Sequence, residues 1–474
     1  MTPPSISSSA LDPTAVEDLR TRFRGSLLLP GDPGYEDSRT VWNAMIDRRP
    51  ALIARCVGVA DVIAGVNFAR EHRITLTIKG GGHNISGLAV ADGGMMLDMS
   101  PMKGVMVDSD ARIGRAQAGC LLGDVDRETQ IHGLAAVLGF VSNTGIAGLT
   151  LGGGFGYLTR QYGWTCDNVR AIELVTADGR LARASDDENA DLFWGLRGGG
   201  GNFGVATRFD YDLYPVGPEI VGGAVAWSGE AAPEVLEMYR SMAAEAPREL
   251  ALVAVLRLAP PAPWLPRKIH GKLIAAIFAC YTGPVQEGEK LVEPIKAFGK
   301  PIGDVLQRRS YISQQSILDA TQPKGRRYYW KSEYLPSLEA GLLEKCIEYA
   351  HQLRSPHSGV VLFPLGGALN EAADDLSPAG NRDAEYVLNV TASWDSAEDD
   401  EANVAWARAA WADMRRYSTG GTYINFLTEE EVDNRIHDAY GDHYERLVRV
   451  KTTWDPENLF RVNKNIPPTP SSEP

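Results

Sequence analysis

Three glycine-dense loops govern what this chain can fold into. They are residues 79–87 (Lys-Gly-Gly-Gly-His-Asn-Ile-Ser-Gly), 144–156 and 197–204, and each follows a regular element. Glycine permits positive φ and lets the backbone approach a ligand closely. Successive exposed amides then form a nest that binds pyrophosphate without a positive side chain. One such loop alone is an ordinary tight turn. Three within 125 residues point to a large phosphate-containing cofactor. Residues 199–204 satisfy GxGxxG, but they follow an expected helix and open an expected strand. The dinucleotide fingerprint needs the reverse order, so an NAD site of that type is excluded. No GxxxxGK[ST] loop is present, which removes a P-loop nucleotidase.

The pattern from 51 to 97 predicts strand, helix, strand. Residues 51–56 are a short apolar run. Asp61 can cap a helix through Ala69, with Val62, Val66 and Ala69 on one face. Residues 74–78 form a β-branched strand that runs directly into the first glycine loop. A helix is expected within 120–133. Residues 171–176 and 181–184 flank Ala-Asp-Gly-Arg, a hairpin signal. A short helix is expected at 191–196, and 205–213 alternate as a strand that stops at Pro215. Beyond Pro218 the glycine loops thin out. Helices such as 232–244 there alternate with strands such as 273–281 and 386–394. This is the pattern of a separate α/β unit whose sheet walls a substrate cavity. The last stretch, 423–466, contains a charged helix.

A chain of 474 residues exceeds one core, which predicts two domains. Composition is ordinary for a soluble globular protein, with fraying expected only at 1–10 and 467–474. The net charge of −14 repels phosphate backbones, so nucleic acid is excluded as a partner. The cluster at 326–331 is accordingly read as a strand with a solvated basic end. No window approaches the roughly 18 apolar residues of a spanning helix, and no secretory signal is visible. Cys56, Cys120, Cys166, Cys280 and Cys346 are odd in number and widely spaced. That argues against disulfides and CxxC metal sites and fits a reducing cytoplasm, the expected location. The histidines show no HxH or HExxH spacing, so no metal is expected.

The residues around the loops are more specific than the loops themselves. Residues 78–84 (Ile-Lys-Gly-Gly-Gly-His-Asn) closely resemble the flavin-attachment loop of the berberine bridge enzyme-like family. These are FAD oxidases of the vanillyl-alcohol oxidase superfamily with a PCMH-type FAD-binding domain. The resemblance continues through 116–120, 144–156, Tyr162-Gly163, Asp167-Asn168, 202–205, Tyr423-Ile424-Asn425 and the stretch from Trp454-Asp455-Pro456 to Asn465. It is nearest to monocovalent bacterial members, of the 6-hydroxy-D-nicotine oxidase and enterocin-pathway oxidase type. It implies an α+β fold, with a two-part FAD-binding domain and an α/β substrate domain built on an antiparallel sheet. The implied units are an N-terminal segment (1–45), the FAD domain (46–217), the substrate domain (218–420) and a C-terminal segment (421–474) that packs back on the FAD domain.

The resemblance also implies site residues. A ring nitrogen of His83 bonds to the 8α carbon of the isoalloxazine, as a neutral imidazole can. Lys79, Gly80, Gly81, Gly82, Asn84, Gly87 and Gly119 are expected around the cofactor. So are Val141, Thr144, Gly145, Gly148, Gly152, Gly153 and Gly154, and, further on, Asn168, Asn202, Gly204, Val205, Tyr423 and Asn463. Many members make a second bond from a cysteine at the position of Val141. Valine cannot form a thioether, so a single attachment is implied. Thr144 occupies the oxygen-gate position. Phe426 stands where related enzymes carry a tyrosine base, and Val361 and Val255 replace polar residues. The implied substrate wall is therefore apolar. Tyr423 and Asn425 are the remaining polar candidates near the flavin, with Tyr311, Asn389 and Thr391 behind them. The expected activity is an FAD oxidase acting on a small, apolar or aromatic substrate and O2. The alternative is a flavin-dependent oxidative cyclase or oxygenase of secondary metabolism. A monomer or homodimer is expected, with no membrane partner.

Overall fold

The first glycine loop leaves the edge of a small, mainly parallel sheet. In the computed structural model, which describes residues 11–470, four strands lie in the order Ser26–Leu28, Leu52–Arg55, Met95–Asp98, Leu76–Lys79. The last three run parallel. Parallel strands need a crossover, and helix Val59–Glu71 supplies one. Val62, Val66 and Ala69 are buried along this helix, as their spacing predicts. Asp61 does not cap it. It lies inside the first turn after Gly58, and its carboxylate accepts the amides of Val57, Arg24 and Gly25. The Pro- and Ser-rich ends at 1–10 and 471–474 lie outside the described residues.

A second, antiparallel sheet runs Val105–Asp108, Ile113–Gln117, Val205–Asp212, Val169–Val175, Leu181–Ser185. The Asp-Gly turn closes the last pair with Val175 opposite Leu181. Helix Ala190–Leu196 precedes the third glycine loop and strand Val205–Asp212 follows it, the order that excludes a dinucleotide fingerprint. Helix Leu122–Thr129 carries Asp126, which is fully buried with Gln315 as its one side-chain donor. Burial, with Asp319 nearby, pushes its carboxyl up from 3.8 to about 7. The folded state thus holds this proton more tightly than the unfolded chain. Stability contributed by Asp126 therefore falls as pH rises from 3.8 to about 7 and stays low above. Asp126→Asn should stabilise the protein at pH 8, by on the order of a few kcal/mol at most, so raising the melting temperature there, and should change it little at pH 4. Thermal denaturation across that range checks it.

The third sheet has eight strands and is buried on both faces. Its main order is Gly303–Asp304, Glu219–Ser228, Leu273–Tyr281, Leu250–Leu258, Gly359–Pro364, Tyr386–Trp394, Arg327–Leu335, with Gln307–Ser310 also paired to Glu219–Ser228. Burial on both faces explains near-continuous apolar runs such as Leu-Ala-Leu-Val-Ala-Val-Leu at 250–256. Leu252, Ala254 and Leu256 pack with helices Ala232–Glu245, Ala340–Ala350 and Asp400–Met414. Val253 and Val255 face the other way, toward Phe140, Phe155 and Tyr423. The basic cluster at 326–331 is paired rather than solvated. Arg327 pairs with Asp400, and buried Lys331 pairs with Glu430 at 2.7 Å and Glu431 at 2.9 Å.

The C-terminal segment forms two helices rather than one, Val432–Tyr440 and Tyr444–Trp454. It packs into the core of the first two sheets through Leu447, Val450, Phe460 and Ile466. Lys451 and Asp455 form a fully buried ion pair at 2.7 Å. Lys451 also donates to the carbonyls of Asn202 and Phe460, and Asp455 accepts the amides of Leu459 and Phe460. A buried pair tolerates its desolvation only with such added partners. The Trp-Asp-Pro motif is thus a structural lock on the third glycine loop. No helix among the described residues is long and apolar enough to cross a membrane.

Candidate active site

The glycine loops and the apolar face of the eight-stranded sheet enclose one continuous cavity of ≈ 360 Å³. Gly80, Gly81, Gly82, His83 and Asn84 line it from the first loop. Val141, Thr144, Gly145, Gly148 and Gly152 line it from the second, and Gly204 and Val205 from the third. Tyr423, Asn425 and Asn463 close it from the C-terminal segment. Four separate stretches of sequence thus converge.

The other expected residues stand behind this wall. Lys79 is buried, pairs with Asp98 at 3.7 Å and donates to Ser38 O; burial lowers its pKa. Gly87 adopts φ 69°, and a Cβ there would meet Ile46 at 2.5 Å. A Cβ on Gly119 would sit 1.9 Å from Met99 O. Gly153 turns toward the Tyr423 ring, and Gly154 gives its amide to the Tyr423 hydroxyl at 3.0 Å. Asn168 binds Tyr162 O and Trp164 O and accepts from Tyr214. Asn202 donates to Gly199 O and Lys464 O and accepts from Ile466 N. Of the second-domain candidates, Asn389 and Thr391 line the cavity, while Tyr311 is buried away from it.

His83 stacks on Trp42, with ring centroids 5.1 Å apart and planes at 15°. Trp42 in turn stacks on Tyr328 at 3.6 Å, and its amide binds Gly82 O. Asn43 donates to Ile85 O and Tyr328 O. The connection between strands Ser26–Leu28 and Leu52–Arg55 therefore ties the histidine loop to strand Arg327–Leu335. Burial lowers the His83 imidazole to about 4, so the ring is neutral at physiological pH.

The residues present fit a large anionic cofactor. The amides of Gly81, Gly82 and His83 find no acceptor among the described residues. Free successive amides form an anion nest. A Cβ on Gly148 or Gly201 would meet nothing within 4 Å, so both glycines open onto the cavity. Asn463 donates to Gly201 O and Phe460 O, while its Oδ1 has no partner. Lys464, absent from the sequence reading, also lines the cavity. Its ammonium donates to Ser86 Oγ at 2.7 Å and to Leu427 O, with no carboxylate in ion-pair range among the described residues. Burial lowers it to about 7. A buried cation held only by neutral acceptors is the charge an anion would satisfy.

Tyr423 accepts hydrogen bonds from Gly154 N and from Asn425 Nδ2 at 2.9 Å. Burial pushes its phenol well above the ordinary value of 10.0, so it keeps its proton. It can donate toward the cavity but is no base. Tyr423→Phe should strand the Gly154 amide at a cost of about 1–3 kcal/mol, read as a lower melting temperature. Phe426 packs edge-on against Tyr423 and Trp330.

Residues 50–185 match the FAD binding domain family, and 422–467 match the family described as berberine and berberine like. An FAD-linked oxidoreductase of Dictyostelium discoideum is 30% identical over 458 residues, covering 96% of this chain and 97% of that protein. (R)-6-hydroxynicotine oxidase of Paenarthrobacter nicotinovorans is 30% identical over 463 residues, covering 94% and 97%. The crystal structure of 6-hydroxy-D-nicotine oxidase from Arthrobacter nicotinovorans superposes with a TM-score of 0.83 at 28% identity, covering 94% of this chain and 98% of that one. Berberine bridge enzyme from Eschscholzia californica shares the fold, with a TM-score of 0.84 at 18% identity over 97% and 100% of the two chains. With both family matches and two relatives at 30% identity over nearly the whole chain, the chain belongs to the berberine bridge enzyme-like family of FAD-linked oxidoreductases.

Proposed function

We propose an oxidase of a small organic substrate in which His83 would hold FAD through a single bond; that cofactor would supply the hydride acceptor and pass the electrons to O2, giving hydrogen peroxide. The observation that carries this reading is the neutral His83 ring, held on Trp42 beside free amides in a cavity whose far wall is apolar. Neutral imidazole is the nucleophilic form. The amides of Gly81, Gly82 and His83 would hold the pyrophosphate, and Lys464, when protonated, would supply a compensating charge. Val141 lines the cavity where a second, thioether link would need a cysteine. Thr144 leaves room for O2 at the same wall.

Val253, Val255 and Val361 exclude water from the substrate side. Tyr423 and Asn425 orient the substrate by hydrogen bonds, and Tyr423 does not take its proton. The lack of a base at Phe426 favours an amine or an activated phenol, which loses hydride with little base assistance. The relative named 6-hydroxynicotine oxidase is in keeping with a small organic substrate. The three working units in this reading are 46–217 for the cofactor, 218–420 for the substrate and, within 421–474, the described residues 421–470 as the closing segment, with Trp42 and Asn43 tying the histidine loop to the sheet.

Anaerobic mixing with a panel of amines, phenols and alcohols tests the reaction. Bleaching of the flavin band, then one equivalent of peroxide on admitting air, is the expected result. Incorporation of labelled oxygen into the product would replace the oxidase with an oxygenase. A flavin that no panel member bleaches would count against turnover of this substrate class.

A further inference from the structure

The sheet wall of the cavity is graded. Val253, Val255 and Arg257 alternate along one face of strand Leu250–Leu258, and all three line the cavity. Phe278 stands opposite Val253, and Val361 opposite both Val255 and Asn389. Gly359 stands opposite both Arg257 and Thr391, and Trp330 lies opposite Thr391. One end of the wall is therefore aromatic and aliphatic. The other ends in a guanidinium, with a glycine beside it that leaves the neighbouring side-chain position open.

That guanidinium is poorly satisfied. Its Nε donates to Leu258 O at 3.3 Å, and its terminal nitrogens find no acceptor among the described residues. No carboxylate there comes within ion-pair range. The titratable groups facing it are Arg326, a cation, and His357, whose imidazole burial shifts toward its neutral form. The one nearby carboxylate, Asp395, is shared between Arg326 Nε and His357 Nε2, at 3.0 Å from each. Burial and then Arg326 lower Arg257 to about 10, and burial lowers His357. An arginine partly buried at a cavity wall without a counter-charge costs stability that a bound carboxylate recovers through a two-pronged hydrogen bond. The whole chain carries −14, so an anionic substrate needs such a local cation to enter.

We propose that Arg257 is the anion-recognition residue of the cavity and that the substrate is a hydrophobic carboxylic acid. The proposal rests on the oxidase reading above, which makes this cavity the substrate site. The carboxylate engages the terminal nitrogens of Arg257, with Thr391 beside it, and the apolar body lies along Val255, Val361 and Phe278.

The test uses the purified holoprotein and two probe pairs, cinnamate with cinnamamide and 4-phenylbutyrate with its amide. Dissociation constants come from calorimetry, and flavin content from the visible spectrum of the same sample. Each acid should bind at least about tenfold more tightly than its amide in the wild type. Arg257→Met should reduce that ratio to about one, and Arg257→Lys should keep part of it. Equal binding of acid and amide by the flavin-loaded wild type, or binding of neither, overturns the proposal. So does an acid preference that survives Arg257→Met. A protein that purifies without flavin but prefers the acids through Arg257 would instead sink the oxidase reading and leave the anion site standing.

Discussion

Acid precipitation should turn the wild-type protein into a yellow pellet and the His83→Ala protein into a white one, its flavin left in the supernatant. The size of this effect follows from how few groups can form the bond. The His83 ring is neutral because it is buried, and Trp42 fixes its plane at the cavity wall. None of the five cysteines lines the cavity, all are buried, and burial pushes every thiol up. A thiol that stays protonated and lies elsewhere cannot substitute. Lys464 also lines the cavity, and burial lowers it to about 7, but Ser86 and Leu427 hold its nitrogen. Covalent occupancy should therefore drop to zero in His83→Ala, while free FAD still occupies the loops. A yellow pellet from the variant would remove His83 as the anchor.

Two glycine substitutions should fail in opposite ways. A Cβ on Gly81 would lie 2.4 Å from Gly145 N and 2.6 Å from Gly145 Cα. Both atoms are backbone, so the first and second loops must separate. Gly81→Ala should cost roughly 3 kcal/mol or more in stability, at the severe end for overpacking. Gly148 lies in helix Ile146–Leu151, and its added Cβ would meet nothing. Gly148→Leu should fold, with a helix-propensity gain of about 0.8 kcal/mol, and should lose flavin because the new side chain enters the cofactor's space. Thermal denaturation and the ratio of visible to ultraviolet absorbance separate the two. A Gly148→Leu protein with full flavin would show that this glycine faces solvent rather than cofactor. A Gly81→Ala protein as stable as the wild type would show that the loop contact yields.

Local pattern carried most of the fold. The strand 273–281, the helix near 232–244 and the Asp-Gly hairpin follow from periodicity and turn chemistry, and the structure places elements there. What depended on distant partners was not legible. Lys331 looked solvated because Glu430 and Glu431, which neutralise it, arrive about a hundred residues later. Asp61 looked like a cap because its true partners, Arg24 and Gly25, lie on another strand's approach. Arg257 interrupts the apolar run at 250–258, and only the folded chain shows that it lines the cavity. Lys464 adjoins a residue that the family pattern did suggest, Asn463, and only the folded chain shows that both line the same wall.

A ribosome making this chain reaches Tyr423 and Lys464 long after all three glycine loops. Both line the cavity, and Ile466 belongs to the same core as Leu52 and Leu97. During synthesis the first two sheets wait, with part of their core unfilled, until helix Tyr444–Trp454 has left the exit tunnel. A polypeptide cut between the third loop and Tyr423 has every glycine loop and no finished pocket, so cofactor loading reports that the closing segment was made.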